Sequence, residues 1–121
     1  MPKILVIEDE KNLRLLYKQD LERDGYQVVT AATAPEGIAM VEAEHPDLVV
    51  MDIRLPGMDG LEAMSKVLEK HPRRPVVLNS AYSSYHENFM SWAADAYVVK
   101  SADTDELRAR VRELLQSRSE A

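Results

Sequence analysis

Short apolar runs alternate with longer stretches of helical periodicity along the whole chain. Four of these runs are continuous, at 4–7 (ILVI), 48–51 (LVVM), 76–78 (VVL) and 97–99 (YVV). Short, uninterrupted runs rich in branched residues are typical of parallel strands that are covered on both faces. A fifth run, at 26–32 (YQVVTAA), is broken by Gln27 and Thr30 and therefore predicts an edge strand.

The stretches between these runs carry helix signals. Two pairs have the spacing of a capping box, in which side chains bind backbone N–H groups at a helix start: Thr33 with Glu36, and Asp59 with Glu62. Apolar stripes mark the first helix and the last, at Leu13, Leu16, Tyr17 and Leu21, and at Leu107, Val111, Leu114 and Leu115. The helix predicted within 83–94 (SSYHENFMSWAA) has the weakest pattern.

This alternation of strand and helix predicts an α/β fold. We expect a doubly wound, five-stranded parallel sheet with right-handed crossovers, flanked by five helices. Such sheets bind ligands at the carboxyl ends of their strands. The residues that follow each strand are therefore the first place to look for a site.

Composition limits the class of protein further. The chain has 121 residues, of which 45% are hydrophobic and 30% charged, as expected of one globular domain. It has no cysteine, which excludes disulfides and thiolate metal sites. The net charge of −6 argues against direct nucleic-acid binding. No apolar run is long enough for a membrane span or a signal peptide, so we expect a cytoplasmic protein.

Polar side chains follow four of the predicted strands. They are Glu8, Asp9 and Glu10 after the first strand, Asp52 after the third, Asn79 and Ser80 after the fourth, and Lys100 after the fifth. Several have structural alternatives, because acids favour a helix start, serine suits turns and lysine can extend towards water. Asp52 is harder to explain in this way, since an unpaired carboxylate beside a buried strand is costly, although a helix cap is an alternative.

The combination of these groups indicates phosphoryl chemistry. Neighbouring carboxylates raise one another's pKa unless a cation lies between them. Oxygen ligands alone favour Mg²⁺, or Mn²⁺ in its place, and magnesium commonly shares its coordination shell with phosphate oxygens. A carboxylate beside such an ion can act as a nucleophile, and a hydroxyl and an ammonium can neutralise the phosphoryl oxygens. Asp52 is therefore a candidate phosphoryl acceptor.

The chain resembles, over essentially its whole length, the receiver domain of bacterial two-component response regulators. The matching segments are ILVIEDE, PDLVVMDIRLPGMDGLE, VVLNSAY and AYVVK, in the expected order and at the expected intervals. The resemblance implies a flavodoxin-like sheet of strand order 2-1-3-4-5. It also implies a single receiver domain over 1–121, with about 117–121 as a terminal tail or the start of a linker.

The resemblance also implies a role for individual residues. Asp52 matches the phosphoacceptor, and Asp9, Asp52 and the backbone carbonyl of Arg54 match the Mg²⁺ ligands, with Glu8 acting mainly through water. Ser80 and Lys100 match the hydroxyl and ammonium that contact the phosphoryl group. Tyr97 matches the aromatic switch residue, although strand packing is its structural alternative. Ala81 matches the small residue that leaves room for the phosphodonor.

Three positions modify this expectation. Ser101 stands where the family usually has proline, often after a cis peptide bond. A non-proline cis bond costs about 2.5–4 kcal/mol, so a trans bond and a strained cis bond are both open alternatives. Arg54 and Tyr82 occupy positions that modulate dephosphorylation in the family.

Two functions fit these residues. The first is a receiver that takes a phosphoryl group from a histidine kinase or phosphotransfer protein and then changes the surface of its fourth helix, fifth strand and fifth helix. An output domain or partner would bind that surface, and homodimerisation there is an open alternative. Such a domain is not an enzyme in the usual sense, although self-phosphorylation from a donor and self-dephosphorylation are expected. The second is an interaction module that signals without phosphorylation.

Other classes fit less well. A phosphatase of the haloacid dehalogenase type needs an aspartate where this chain has Arg54. A flavodoxin needs a phosphate-binding loop where this chain has EDEKN, and a dinucleotide-binding fold needs a glycine-rich turn there.

Overall fold

The computed structural model describes residues 1–55, 58–70, 74–80, 95–100 and 103–120. The strands within these residues are β1 (Lys3–Ile7), β2 (Gln27–Ala31), β3 (Leu48–Met51), β4 (Arg54–Leu55), β5 (Met58–Asp59), β6 (Val76–Ser80) and β7 (Ala96–Val99). The helices are α1 (Lys11–Arg23), α2 (Ala34–Glu44), α3 (Gly60–Lys70) and α4 (Asp105–Glu120). The helix predicted within 83–94 lies outside the described residues.

Five of the strands form one parallel sheet in the order β2-β1-β3-β6-β7. Strands β4 and β5 form a separate antiparallel ribbon. Strands β6 and β7 are therefore the fourth and fifth strands of the main sheet, which has the predicted order 2-1-3-4-5. The edge position of β2 is also confirmed. None of the four described helices is long and apolar enough to cross a membrane.

The sheet has an apolar core on each face because successive strand residues point in opposite directions. One core joins alternate strand residues, such as Val6, Val50 and Val77, to the stripes of α1 and α4. The other joins the residues between them to α2 and α3. The predicted stripe residues are all buried or partly buried in the first core. This arrangement confirms the doubly wound fold.

The start of α2 follows from its capping residues. The Glu36 N–H donates to the Thr33 hydroxyl at 3.3 Å, as predicted. The Glu36 carboxylate reaches one residue further back and accepts the Ala32 N–H at 3.3 Å. At the other end His45 adopts a left-handed conformation, with φ of 50°, directly before Pro46. For α3, the Asp59 side chain of the predicted capping box lies outside the described part of the chain.

Two polar contacts join the start of α4 to the end of α1, through Thr104 just before α4 and Asp24 just after α1. The Thr104 hydroxyl donates to Asp20 at 2.6 Å. Arg108 donates twice to the Asp24 carboxylate, at 2.9 and 2.6 Å. This bidentate contact lowers the pKa of Asp24 and raises that of Arg108. The first and last helices are therefore joined by charge as well as by their apolar stripes.

Helix α2 lies unusually close to β1 at Gly37. A Cβ atom added there would overlap Ile7 Cδ1 and would lie 2.7 Å from Ile7 Cγ1. Ile7 is itself buried and has little room to move. The absence of a side chain at position 37 therefore sets the spacing between α2 and the sheet.

We expect Gly37→Ala to destabilise the fold by about 1–3 kcal/mol in urea unfolding, because the new methyl group overpacks the core at Ile7. Alanine also favours the helix more than glycine does, which partly offsets the overpacking. Ala39→Gly, at an exposed position of the same helix, measures this difference in helix propensity alone. Adding Ile7→Val removes Cδ1 and should recover part of the loss. A Gly37→Ala variant as stable as the parent would contradict the close packing.

A second prediction concerns pH. The folded pKa of Asp24 lies below its ordinary value of 3.8, so its contact with Arg108 stabilises the fold fully above that value. The contribution is lost as pH falls through the folded pKa. Asp24→Asn should therefore reduce the free energy of unfolding at pH 7, and the difference from the parent should shrink progressively as pH falls below 3.8. A constant difference across this range would show that charge is not the cause.

Candidate functional site

The strand register places three polar side chains side by side. Val6, Val50 and Val77 are aligned across β1, β3 and β6 on the face that packs against α1 and α4. Residues two positions later point to the same face, and they are Glu8, Asp52 and Asn79. A backbone bond from the Asp52 N–H to the Ile7 carbonyl, at 3.3 Å, continues the sheet beyond the strand ends.

Lys100 reaches this layer from the last strand. Its backbone N–H donates to the Ser80 carbonyl at 2.7 Å, which anchors the residue beside the end of β6. Its ammonium lies 2.7 Å from Asp52 Oδ2 and 2.6 Å from Glu8 Oε1. Because β6 lies between β7 and β3, the lysine side chain must extend across the end of β6. The Lys100 ammonium thus bridges the carboxylates of Glu8, which follows β1, and Asp52, which follows β3.

Burial makes this contact energetically important. Glu8 is 2% exposed and Asp52 is 7% exposed. Burial raises the pKa of Glu8, and its bonds to Lys100 and to the Glu10 N–H oppose that rise only in part. Burial lowers the pKa of Lys100, but its bonds to Asp52 and Glu8 outweigh burial and leave the pKa raised. Lys100 is therefore a cation at neutral pH.

Asp9 completes an acidic cluster on the solvent side. It is exposed, and carboxylate oxygens of Glu8, Asp9 and Asp52 lie within 4.8 Å of one another. Such a set of oxygen donors fits a hard divalent cation such as Mg²⁺. The cluster also uses the carboxylates that Lys100 contacts, so a metal ion and the ammonium would share them. The structure thus brings together Glu8, Asp9, Asp52 and Lys100.

The other predicted site residues lie near this cluster or outside the described residues. Ser80 is fully buried at the end of β6. Tyr97 is 8% exposed and packs in the core on the α2 and α3 side, beside Leu78 in the register. The backbone of Arg54 begins the β4–β5 ribbon two residues after Asp52. Ala81, Tyr82 and Ser101 lie outside the described residues.

Sequence reasoning missed Arg14. Its guanidinium donates to the carbonyl of Glu8 at 2.8 Å and to that of Asp9 at 3.3 Å. The Glu10 N–H also donates to the Glu8 carboxylate, at 3.2 Å. Together these bonds fix the loop between β1 and α1. The apolar spacing gave no signal for Arg14, because its role depends on the direction in which the chain enters the helix.

Comparison with known proteins identifies the family. Residues 4–112 match the response regulator receiver domain. The alkaline phosphatase synthesis transcriptional regulatory protein PhoP of Bacillus subtilis is 35% identical over 116 residues, which are 94% of this chain and 48% of PhoP. The chain thus spans about half the length of this curated relative.

Solved structures agree with that match. The response regulator TrrA of Thermotoga maritima, in complex with Mg²⁺–BeF, is 41% identical with a TM-score of 0.88, covering 94% of this chain and 99% of TrrA. TrrA in complex with the histidine kinase ThkA is 42% identical with a TM-score of 0.87, covering 95% and 99%. With its parallel sheet, its acidic cluster and these relatives, the chain belongs to the receiver-domain family of two-component response regulators.

Proposed function

We propose that this receiver domain accepts a phosphoryl group on Asp52 from a histidine kinase or a histidine phosphotransfer protein. The observation that carries the proposal is the contact of the Lys100 ammonium with Asp52 Oδ2 at 2.7 Å, beside the carboxylates of Glu8 and Asp9. A nucleophile, a cation and a set of metal-binding oxygens thus meet at one point. The complex of TrrA with the kinase ThkA supports a partner of this class.

In the proposed transfer, an Asp52 carboxylate oxygen attacks the phosphorus atom of a phosphohistidine. The new O–P bond forms as the N–P bond breaks, and the electron pair of the broken bond returns to the imidazole nitrogen. Lys100 then contacts a phosphoryl oxygen, and the Ser80 hydroxyl donates to another. Both groups act by neutralising charge that spreads over the phosphoryl oxygens during transfer.

Asp9, Asp52 and the Arg54 carbonyl would hold Mg²⁺, with Glu8 acting mainly through water and Mn²⁺ as a substitute ion. When bound, the ion supplies positive charge to the phosphoryl oxygens. The complex of TrrA with Mg²⁺–BeF supports this choice of ion. Small phosphodonors would serve in place of the kinase, and hydrolysis of the acyl phosphate would return Asp52 to its free form.

The phosphorylated domain would then present a changed surface to its output partner. Phosphorylation adds charge at Asp52 and favours one of two existing conformations of the domain. Tyr97 on β7 would act as the aromatic switch residue, whose burial changes with phosphorylation. The changed surface would include β7 and α4, which are the fifth strand and the fifth helix of the sequence prediction. The whole of 1–121 would act as one receiver domain in the cytoplasm, and about 117–121 would lead away from it as a tail or linker.

Phosphoryl acceptance can be tested by mass spectrometry of the intact protein. We expect the chain to gain one phosphoryl group from acetyl phosphate only with Mg²⁺ present, and Asp52→Asn to gain none. Asp47→Asn is the matched control, because Asp47 lies at the opposite end of β3, where its carboxylate accepts the Lys3 N–H. Failure of the parent to gain mass with a cognate kinase, although it binds Mg²⁺, would favour the phosphorylation-independent module.

A second test concerns Lys100. Lys100→Met leaves Glu8 and Asp52 buried without their cation, and we expect a loss of about 3–5 kcal/mol of stability without metal. Mg²⁺ should bind this variant more tightly than the parent, because the ammonium no longer competes for the carboxylates. Phosphoryl uptake at saturating Mg²⁺ should nevertheless be slower by roughly 100-fold, because a charge that stabilises the transition state is gone.

Lys66→Met, which removes an exposed lysine of α3, serves as the control for that experiment. The stability is read from urea unfolding and the affinity from calorimetric titration with Mg²⁺. If Lys100→Met bound Mg²⁺ more weakly than the parent, this result would contradict the proposal that the ammonium and the metal ion compete for the carboxylates.

A further inference from the structure

Tyr17 of α1 presents a buried hydroxyl without a hydrogen-bond partner among the described residues. The residue is 2% exposed and packs in the core between the sheet, α1 and α4. Its apolar spacing predicted a packing residue, and phenylalanine would fill nearly the same volume. A buried hydroxyl that makes no hydrogen bond lowers stability. The hydroxyl at this position therefore needs an explanation that packing does not supply.

The hydroxyl lies next to the acidic site. Tyr17 shares its core with Val6, Val50, Val77 and Val98, and the side chains two positions beyond these valines are Glu8, Asp52, Asn79 and Lys100. All four interact electrostatically with the phenol: burial raises the pKa of Tyr17, Asn79 and Lys100 lower it, and Glu8 and Asp52 raise it. The Asn79 side chain approaches the hydroxyl, but the two do not form a hydrogen bond of full geometry.

Asn79 is a second polar group in this layer. It is 4% exposed, on the strand that leads to Ser80, and it points to the face on which Tyr17 lies. The Lys100 side chain crosses the end of the same strand on its way to Asp52 and Glu8. The phenol of Tyr17 and the amide of Asn79 thus lie on the same face of the sheet, near the lysine that bridges the two carboxylates.

The bonding capacity of Lys100 links these groups. An ammonium has three N–H donors, and here two of them are directed at Glu8 and Asp52. A cation held directly by Asp9 and Asp52 would also contact Glu8 through water, and this contact would compete with the ion pair between Glu8 and Lys100. A phenol oxygen can accept a hydrogen bond while its O–H donates another. Tyr17 supplies such an oxygen on the same face of the sheet.

On the basis of the function proposed above, we propose that Tyr17 is a positioning residue for Lys100. Within the described parts of the chain its hydroxyl has no hydrogen-bond partner while Lys100 bridges Glu8 and Asp52. When Glu8 contacts a bound cation through water, the phenol oxygen would accept an N–H of the ammonium in place of Glu8, and the phenol O–H would donate to the Asn79 amide oxygen. The ammonium thereby stays directed at Asp52. The hydroxyl destabilises the metal-free state and stabilises the loaded one, which couples cation binding to the position of Lys100.

Tyr17→Phe tests this coupling without requiring phosphoryl transfer. We expect the variant to be more stable than the parent in metal-free urea unfolding, with a folding equilibrium constant higher by roughly 5–30-fold, because an unpaired hydroxyl has been removed. We expect it to bind Mg²⁺ with beryllium fluoride, a phosphoryl mimic, at least about fivefold more weakly, because the loaded state loses a hydrogen bond. Circular dichroism follows unfolding and calorimetry follows binding.

Tyr26→Phe is the matched control, because Tyr26 packs against the same core beside Asp24, at the end of the sheet away from the acidic cluster. It should leave Mg²⁺ affinity unchanged. A Tyr17→Phe variant that binds Mg²⁺ with beryllium fluoride as well as the parent does would overturn the proposal. A variant that is no more stable than the parent without metal would also overturn it, because the hydroxyl would then be hydrogen-bonded in the metal-free state. Absence of Mg²⁺ binding by the parent would overturn the proposed function together with this inference, whereas normal binding by both proteins would overturn the inference alone.

Discussion

The two ion pairs of Lys100 are the interaction on which the site depends. Parallel strands place Glu8 and Asp52 next to each other below the surface, where two negative charges without a cation would be strongly unfavourable. The lysine from the last strand supplies that cation at 2.6 and 2.7 Å. The same charge later serves a phosphoryl group in the proposed reaction. The requirement for stability and the requirement for chemistry are thus met by one side chain.

Much of this arrangement could be predicted from the sequence because the pattern and the topology agree. Continuous apolar runs specified buried parallel strands, and the interrupted run with Gln27 and Thr30 specified the edge strand β2. Parallel strands bring their carboxyl ends to one edge of the sheet, so the sequence alone predicts that Glu8, Asp9, Asp52 and Lys100 lie together. The family resemblance added the roles that spacing alone left open.

The remaining features depend on side-chain direction, which periodicity does not specify. Apolar spacing treats Tyr17 as equivalent to leucine, because it registers the ring and not the hydroxyl at its end. Arg14 turns back towards the carbonyls of Glu8 and Asp9, and this contact depends on the entry angle of α1. Lys100 was expected beside a phosphoryl group, and its contact with Glu8 describes the domain before any such group arrives.

The position of these contacts along the chain affects how the domain is made. Lys100 lies 48 residues beyond Asp52, and the Thr104 and Arg108 contacts to α1 span 84 residues each. A chain leaving the ribosome therefore presents Glu8 and Asp52 long before the lysine that compensates them. Contacts this distant in sequence form only after a large loop has closed. The acidic rim gains its cation only when β7 joins the sheet, so a prematurely terminated chain lacking β7 has neither the balanced charge nor the lysine that a signalling site requires.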